Sequence, residues 1–328
     1  MAISNTYSPS APRATTTSGS AVGNREDLSS LLTVLAPEET PITSLCAKGK
    51  ATSTFSEWTI DGLDDPSADG INEGADVTAF TNKFANRSRL GNYTQIFRRD
   101  WLVSKLQDAV ASVGPANSVQ AQAKAMRELK RDVEKAVCSN SDRQAEDGTN
   151  TYKLRGLGDW PDSHGPSDVP AAYRTPSGSI LAATLTESTL NGLLGSIYTK
   201  TGEMGNLTLV ANVALRKVIA NFTRAEGTTN STAYHINEQA SSKKITLSVS
   251  LFDSDFGVIK IVNANPKCMP EASTNEGYIL DPKYVGINTL IPMGAQKLED
   301  QGGGKRGYVD CALTLAVKSP QAHGKIAY

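Results

Sequence analysis

The chain has 328 residues, with 33 Lys and Arg against 34 Asp and Glu and a net charge of -1. A chain of that length buries a sizeable core and often divides into two lobes. The near-zero charge excludes a protein held to nucleic acid by its own overall positive field, though not one that merely surrounds it.

Aromatic residues make up only 6% of the chain, so the core must rest on Ala, Val, Leu and Ile. No stretch approaches the ~18 apolar residues of a membrane span. Residues 1–24 are rich in Ser, Thr, Ala and Gly and carry no apolar h-region, so no secretory signal is visible and folding in a cytoplasm is expected. They also lack the apolar residues needed to offset chain entropy, which predicts an arm ordered only on a partner. Leu28, Leu31, Leu32 and Leu35 give Asp27 to Ala36 helical spacing, and Pro37-Glu38-Glu39-Thr40-Pro41 breaks it. Ile42 to Cys46 is a short apolar piece that leads to a basic turn at Lys48-Gly49-Lys50.

Thr52 to Ile60 reads as a strand, and Ser88 to Phe97 as a second. Between them runs a long polar span with Gly62, Pro66, Gly70 and Gly74. An extended arm of about 20 residues reaches roughly 60 Å, whereas a body of this length has a radius of gyration near ~20 Å. A hairpin of that length must project beyond its own body, and its exposed edges need another chain to cover them. Its charge is sorted. Asp61, Asp64, Asp65, Asp69, Glu73 and Asp76 lie on the outgoing side, and Lys83, Arg87, Arg89, Arg98 and Arg99 follow on the return. This pattern fits either a solvated acidic loop or complementarity between neighbouring subunits. A calcium site at Asp61, Asp64, Asp65 and Asp69 is weaker, because the spacing does not match an EF-hand.

Asn117 to Cys138 is the longest predicted helix, with Val119, Met126, Leu129, Val133 and Ala136 on one stripe, Asn117 or Ser118 as cap and Lys130–Glu134 as an i,i+4 pair. Downstream, Thr184-x-x-Glu187 reads as a capping box before a helix with Leu190, Leu193, Leu194, Ile197 and Tyr198 on one face, ending near Gly202. A strand at Leu207 to Ala211 follows, and then a helix capped by Asn212 with Leu215, Val218, Ile219 and Phe222. Residues 223–243 are polar and predict a loop. Ile245, Leu247, Val249 and Leu251 alternate as a strand, and Asp253 to Gly257 turns that strand into Val258 to Val262. Tyr278 to Asp281 is another short strand. Val309, Cys311, Leu313, Leu315 and Val317 alternate as the last, with one dry and one wetter face expected.

The order is therefore arm, long hairpin, long helix, mixed α+β insert and closing strand. With Glu128-Leu129-Lys130-Arg131-Asp132, Asn92-Tyr93-Thr94-Gln95-Ile96-Phe97, Arg155-Gly156-Leu157, Ser254-Asp255-Phe256-Gly257, Ile279-Leu280-Asp281-Pro282 and Ser319-Pro320-Gln321-Ala322-His323-Gly324, it resembles the major capsid proteins of tailed bacteriophages, which have the Hong Kong 97-like fold. The similarity covers roughly residues 25–328, and no single motif in it is specific. It implies an α+β fold with an N-arm (1–50), an E-loop built as an extended β-hairpin (51–100), a P-domain (101–180) with spine helix 117–138 and an antiparallel sheet, an inserted A-domain (181–299) and a C-terminal strand (300–328) returning to the P-domain. Gln301-Gly302-Gly303-Gly304-Lys305 departs from the Gly-Asp step frequent near the family's last strand. The resemblance further implies a homo-oligomer of pentamers and hexamers closing an icosahedral head, localised to the virion. It implies a separate scaffolding protein, a portal protein, non-specific contact with packaged double-stranded DNA and a candidate decoration protein. No membrane partner is expected. Interface candidates are the six acids and Arg87, Arg89, Arg98 and Arg99. Met126, Leu129, Arg131 and Val133 would carry the spine helix.

No enzymatic site is expected, and no cofactor or metal. Cys46, Cys138, Cys268 and Cys311 are far apart, without C-x-x-C spacing, and read as reduced packed thiols. His164, His235 and His323 sit in no metal-binding frame, and neither a phosphate loop nor a nucleophile elbow is present. The competing readings are another virion structural protein, such as a tail-tube or adhesin subunit, and a hydrolase pairing Cys138 or Cys268 with His235.

Overall fold

The computed structural model of the chain describes residues 39–109, 117–161, 166–175, 179–222, 250–270 and 275–327. The elements in order are α1 (Pro41–Leu45), β1 (Ala47–Lys50), β2 (Phe55–Ile60), β3 (Ser88–Tyr93), β4 (Gln95–Val103), α2 (Lys105–Ala109), α3 (Ser118–Val137), β5 (Ser179–Leu181), α4 (Glu187–Thr201), β6 (Thr208–Ala211), α5 (Val213–Phe222), β7 (Leu251–Ser254), β8 (Gly257–Asn263), β9 (Asn275–Leu280), β10 (Val285–Leu298), β11 (Lys305–Val317) and β12 (Gly324–Ala327). The helix expected at Asp27 to Ala36, the loop 223–243, the alternating residues before Leu251, and His164 and His235 lie outside the described residues.

A four-stranded sheet runs β1-β10-β11-β4 and a six-stranded one β5-β12-β9-β6-β8-β7, while β2 and β3 pair only with each other. The long helix α3 lies on the first sheet against β4 and β11. Its register follows from the 3.6-residue period: Ala125, Leu129, Val133 and Val137 are buried and meet Phe97, Val309, Cys311 and Leu315 in one core. Val119, placed on the stripe by sequence, is 70% exposed because the buried stripe begins a turn and a half later, at Ala125. The Asn117 side chain accepts the Gln120 N–H at 3.0 Å, which caps the helix as expected.

The second core lies between α4, α5 and the six-stranded sheet. Period-2 alternation divides that sheet between the two cores. Leu209, Ala211 and Ile279 face the second, while Val210, Tyr278 and Leu280 face the first. Tyr278 also donates its hydroxyl to the Cys138 carbonyl at 2.9 Å, tying the sheet to the end of α3. The cap of α4 is Thr186 with Thr189, two residues beyond the pair read from sequence, because Thr184 is spent in a 3-10 turn. Gly202, at φ 69°, ends the helix.

Four other expectations shift. The basic turn Lys48-Gly49-Lys50 is a strand, held by parallel pairing to β10, where Gly49 lets the Asn288 side chain approach too closely for any Cβ. β11 is dry on both faces from Cys311 onward, because it is an inner strand with α3 on one side and the hairpin root near the other. β10, inside the segment 181–299, pairs with β11 in the first sheet. The last strand, β12, joins the six-stranded sheet beside β9, so the segment 300–328 serves both sheets.

Candidate subunit interface

The hairpin begins from six antiparallel pairs, Phe55↔Tyr93 through Ile60↔Ser88. The predicted return strand Ser88 to Phe97 breaks at Thr94. There the Thr94 N–H donates to the Thr54 carbonyl at 2.8 Å, and the chain leaves β2 to pair with β11 as β4. Between Ile60 and Ser88 no strand forms. Gly, Pro, Asp and Asn are depleted from strands, and here they interrupt every apolar run. The extended hairpin expected over 51–100 is thus a short ladder carrying a 27-residue span, 61–87.

The root of this hairpin is stiff. Trp58 packs on Trp160 with centroids 5.7 Å apart, and Leu90 is wholly buried. Asn92, also wholly buried, donates to the Arg155 and Leu315 carbonyls at 3.1 and 2.8 Å and accepts the Arg155 N–H at 2.8 Å. The Arg155 guanidinium is 2% exposed and meets Asp142 at 2.6 Å, Asp168 at 2.9 Å and Asp159 at 3.0 Å. Arg143 adds a bond to the Gly91 carbonyl at 2.6 Å and an ion pair to Asp168 at 3.2 Å. Burial pulls the Asp168 carboxyl upward, but the Arg155 bonds outweigh it and hold the group below its usual value. Gly156 has no room for a side chain, because a Cβ would collide with the Ser139 carbonyl oxygen. In the sequence Arg155 and Gly156 stand out only as part of a motif. The three acidic partners of Arg155 lie 4 to 13 residues away, at spacings that carry no periodic signal.

Beyond the root the span is bare. Leu63 is 99% exposed, Phe80 90% and Ile71 86%, with Val77 and Phe84 also exposed. The sorted charges partly answer one another across it. Lys83 pairs with Asp64 at 2.6 Å and Arg87 with Asp61 at 2.9 Å, while Arg89 reaches Glu57 only at 3.9 Å. The bond from Lys83 holds the Asp64 carboxyl below its usual value. Asp69 accepts from Ser67 at 2.9 Å, and Asp65, Glu73 and Asp76 are exposed. The structure does not bring all ten predicted interface residues together. Arg98 stacks on Tyr308 and pairs with Asp310 of β11, and Arg99 makes a two-pronged bond to Asp132 of α3, so both brace the first sheet. Leu129 and Val133 are core residues, Met126 packs against that core from a half-buried position, and Arg131 is half-buried.

A further anchor is hidden in the sequence, because Lys130–Glu134 looks like a surface pair. Glu134 is buried, and its carboxylate accepts the N–H groups of Ile42 and Thr43 at 2.9 Å each, fixing α1 to α3. Burial raises its pKa, and the two N–H bonds pull it partly back.

Among the described residues no group of three or more His, Cys, Asp or Glu could hold a metal ion, and no helix is long and apolar enough to cross a membrane. The four cysteines are free and buried. Burial pushes Cys46 up to about 12 and Cys268 and Cys311 to about 11, which keeps these thiols protonated and unreactive near neutrality. A cavity of 130 Å³ beside Thr201, Asp281 and Tyr284 is well below the ~300 Å³ at which small-molecule sites begin.

The model of one protein family, described as the SU10 major capsid protein, matches residues 13–328. No curated protein matches the chain in sequence. Among solved structures, the capsid of an empty GTA particle is similar at a TM-score of 0.64 and 12% identity, with 94% of this chain and 96% of that one covered. The capsid of Cyanophage P-SCSP1u gives 0.60 and 12% with 98% of both chains covered, and Mycobacterium phage Che8 gives 0.56 and 14% with 93% and 97% covered. These likenesses show the Hong Kong 97-like fold.

Proposed function

The chain belongs to the SU10 major capsid protein family, and on that premise we propose that its copies close a phage head by overlapping through the span 61–87. As a major capsid protein it is a structural subunit of the virion, forming the shell of the head. In the proposed arrangement the hairpin is the E-loop and lies over a neighbouring copy. The first sheet with α3 makes the P-domain, and the six-stranded sheet with α4 and α5 makes the A-domain, grouped into pentamers and hexamers. Double-stranded DNA fills the shell, a separate scaffolding protein guides its closure, a portal occupies one vertex, and a decoration protein is a candidate for the outer surface. The subunit performs no catalytic step.

One observation supports the overlap above the others: five large apolar side chains stand exposed within 27 residues, on a root rigid enough to aim them. Large apolar side chains left in water on one projecting segment are the kind of surface an interaction site covers. Large permanent interfaces, above ~2,000 Å², are what a shell under internal pressure requires. Each such contact is heterologous, one patch meeting a different patch on the next copy, and closes by rotation.

The test is deletion of residues 62–86, which leaves the six-pair ladder and the root intact. The shortened subunit should fold with unchanged circular dichroism yet give only monomers or open fragments on negative-stain micrographs. Closed shells from the shortened chain, in the yield of the parent, would overturn the role assigned to the span.

A further inference from the structure

We propose that the outward face of α3 is the surface that meets the enclosed nucleic acid, by contact with its phosphate backbone. The inference deepens the capsid reading and rests on it. Leu129 and Val133 turn into the core, so the face opposite them carries Lys124, Arg127 and Lys135, with Lys130 on the flank, while Arg131 on the same side is half-buried beside Cys268. Lys124, Arg127, Lys130 and Lys135 are exposed. The three acids of the helix do not offset them evenly. Glu134 is buried under α1, Asp132 is held by Arg99, and Glu128 meets Lys124 only at 4.0 Å. A helix segment from Lys124 to Lys135 is roughly 16 Å long, about the axial reach of five phosphates on one DNA strand at ~3.4 Å each.

The kind of partner follows from what the face lacks. A protein interface needs an apolar or aromatic centre. On α3 the exposed large apolar residue is Val119, before the charged stripe begins. Phosphate contact needs only cations at suitable spacing and carries no sequence preference. The sides of the sheet also differ in charge. The hairpin root crosses the sheet face away from α3, where the Asn288 side chain donates to the Ser56 hydroxyl at 3.3 Å. The span that leaves this root holds six carboxylates against two cations. A shell built from such subunits has an acidic surface bearing the overlaps and a basic surface bearing the helices, and a polyanion inside is accommodated by the basic one.

The experiment uses unassembled full-length subunits and a 5′-labelled duplex of about 30 base pairs, read by fluorescence anisotropy across a salt series. The variant Lys124→Gln, Arg127→Gln, Lys130→Gln, Lys135→Gln should lower the slope of log K against log salt by about 3.6, some 0.9 for each phosphate no longer neutralised. A control removing four other exposed cations, Lys153→Gln, Lys260→Gln, Lys297→Gln, Lys318→Gln, should leave the slope unchanged. An unchanged slope in the first variant, an equal fall in the control, or no binding by the parent overturns the assignment. Polyglutamate displacing the duplex from the stripe at equal charge concentration also overturns it, in favour of an acidic protein partner. Micrographs of the same proteins, taken after they are brought to assembly conditions, distinguish this inference from its premise. Parent protein that closes no shells sinks the capsid reading, whereas shells with an unaltered DNA slope sink only the role of α3.

Discussion

The span 61–87 and the strand β11 lie in one chain and meet opposite fates. From Cys311 to Val317 every side chain of β11 is buried; the strand pairs with β10 along that whole stretch and with β4 as far as Leu313, and it lies against α3. The span holds Leu63, Ile71, Val77, Phe80 and Phe84, and all five stay exposed in their own molecule, from 65% at Phe84 to 99% at Leu63. The difference lies in order rather than amount. In β11 the apolar residues recur every second position, so one regular element presents them all to one place. In the span they are separated by 8, 6, 3 and 4 positions, so no single period runs through all five, and the Gly, Pro, Asp and Asn between them leave no strand or helix to gather them. Apolar residues without a period are not a core of their own, and another surface must collect them.

The largest effect should come from cutting the joint between the two regions. Arg155→Ala leaves Asp142, Asp159 and Asp168 converging on an absent cation and removes the packing on Trp160. Breaking a buried charge cluster from one side costs about 3–5 kcal/mol, and the loss should appear as a lower urea midpoint of the isolated subunit. A midpoint within error of the parent would mean the root is not rigid, and the contrast between fixed base and free span would collapse.

The next effect is a pH dependence confined to the packed region. His323 is wholly buried and accepts the Asp281 N–H at Nδ1 from 3.2 Å. Burial pulls its pKa from 6.5 down to about 4, with the Tyr284 backbone offsetting little. A histidine depressed in the fold contributes stability that is full above pH 6.5 and is lost as pH falls through about 4. The gap corresponds to about 3 kcal/mol. His323→Asn keeps an acceptor for Asp281 without a titrating ring, so subtracting its pH–stability curve from that of the parent should leave a slope between pH 6.5 and 4. Parallel curves for the two proteins would rule the histidine out as the source.

How much of this was legible in the letters follows the same division. Helix α3 is legible to its caps, and β6, β8, β9 and β11 stand out, because each carries a compact or regular apolar run. The assignment of β10 to the first sheet was not legible: its pairing with β11 is a long-range choice, and its bulges between Thr289 and Gly294 blur the alternation. The capping box slipped by two residues because Thr184, Thr186 and Thr189 offer the same hydroxyl. At the candidate interface the acids and the bareness of the span were visible. The roles of Arg98 and Arg99 were not, since an exposed arginine and one bonded to Asp132 on a distant helix look alike in one dimension. Glu134 is illegible for the converse reason, because nothing local shows that α1 folds over it.

The smallest effect on the subunit is the sharpest test of the comparison. Phe80→Ser with Ile71→Ser removes two of the most exposed apolar side chains among the described residues. If they touch nothing in their own chain, subunit stability should move by no more than about 0.5 kcal/mol, the range of ordinary surface substitutions. Assembly should nonetheless fail, because the removed surface is what a neighbouring copy would have covered. Calorimetry of dilute subunits and sedimentation of concentrated ones separate the two quantities in a single preparation. A melting temperature lowered by several degrees would show that the span packs on its own body, and normal sedimentation of shells would show that the neighbour does not need it. Either result removes the distinction between 61–87 and the rest of the fold. An unmoved melting curve beside missing shells leaves one physical account, in which these side chains find their burial only on another copy of the chain.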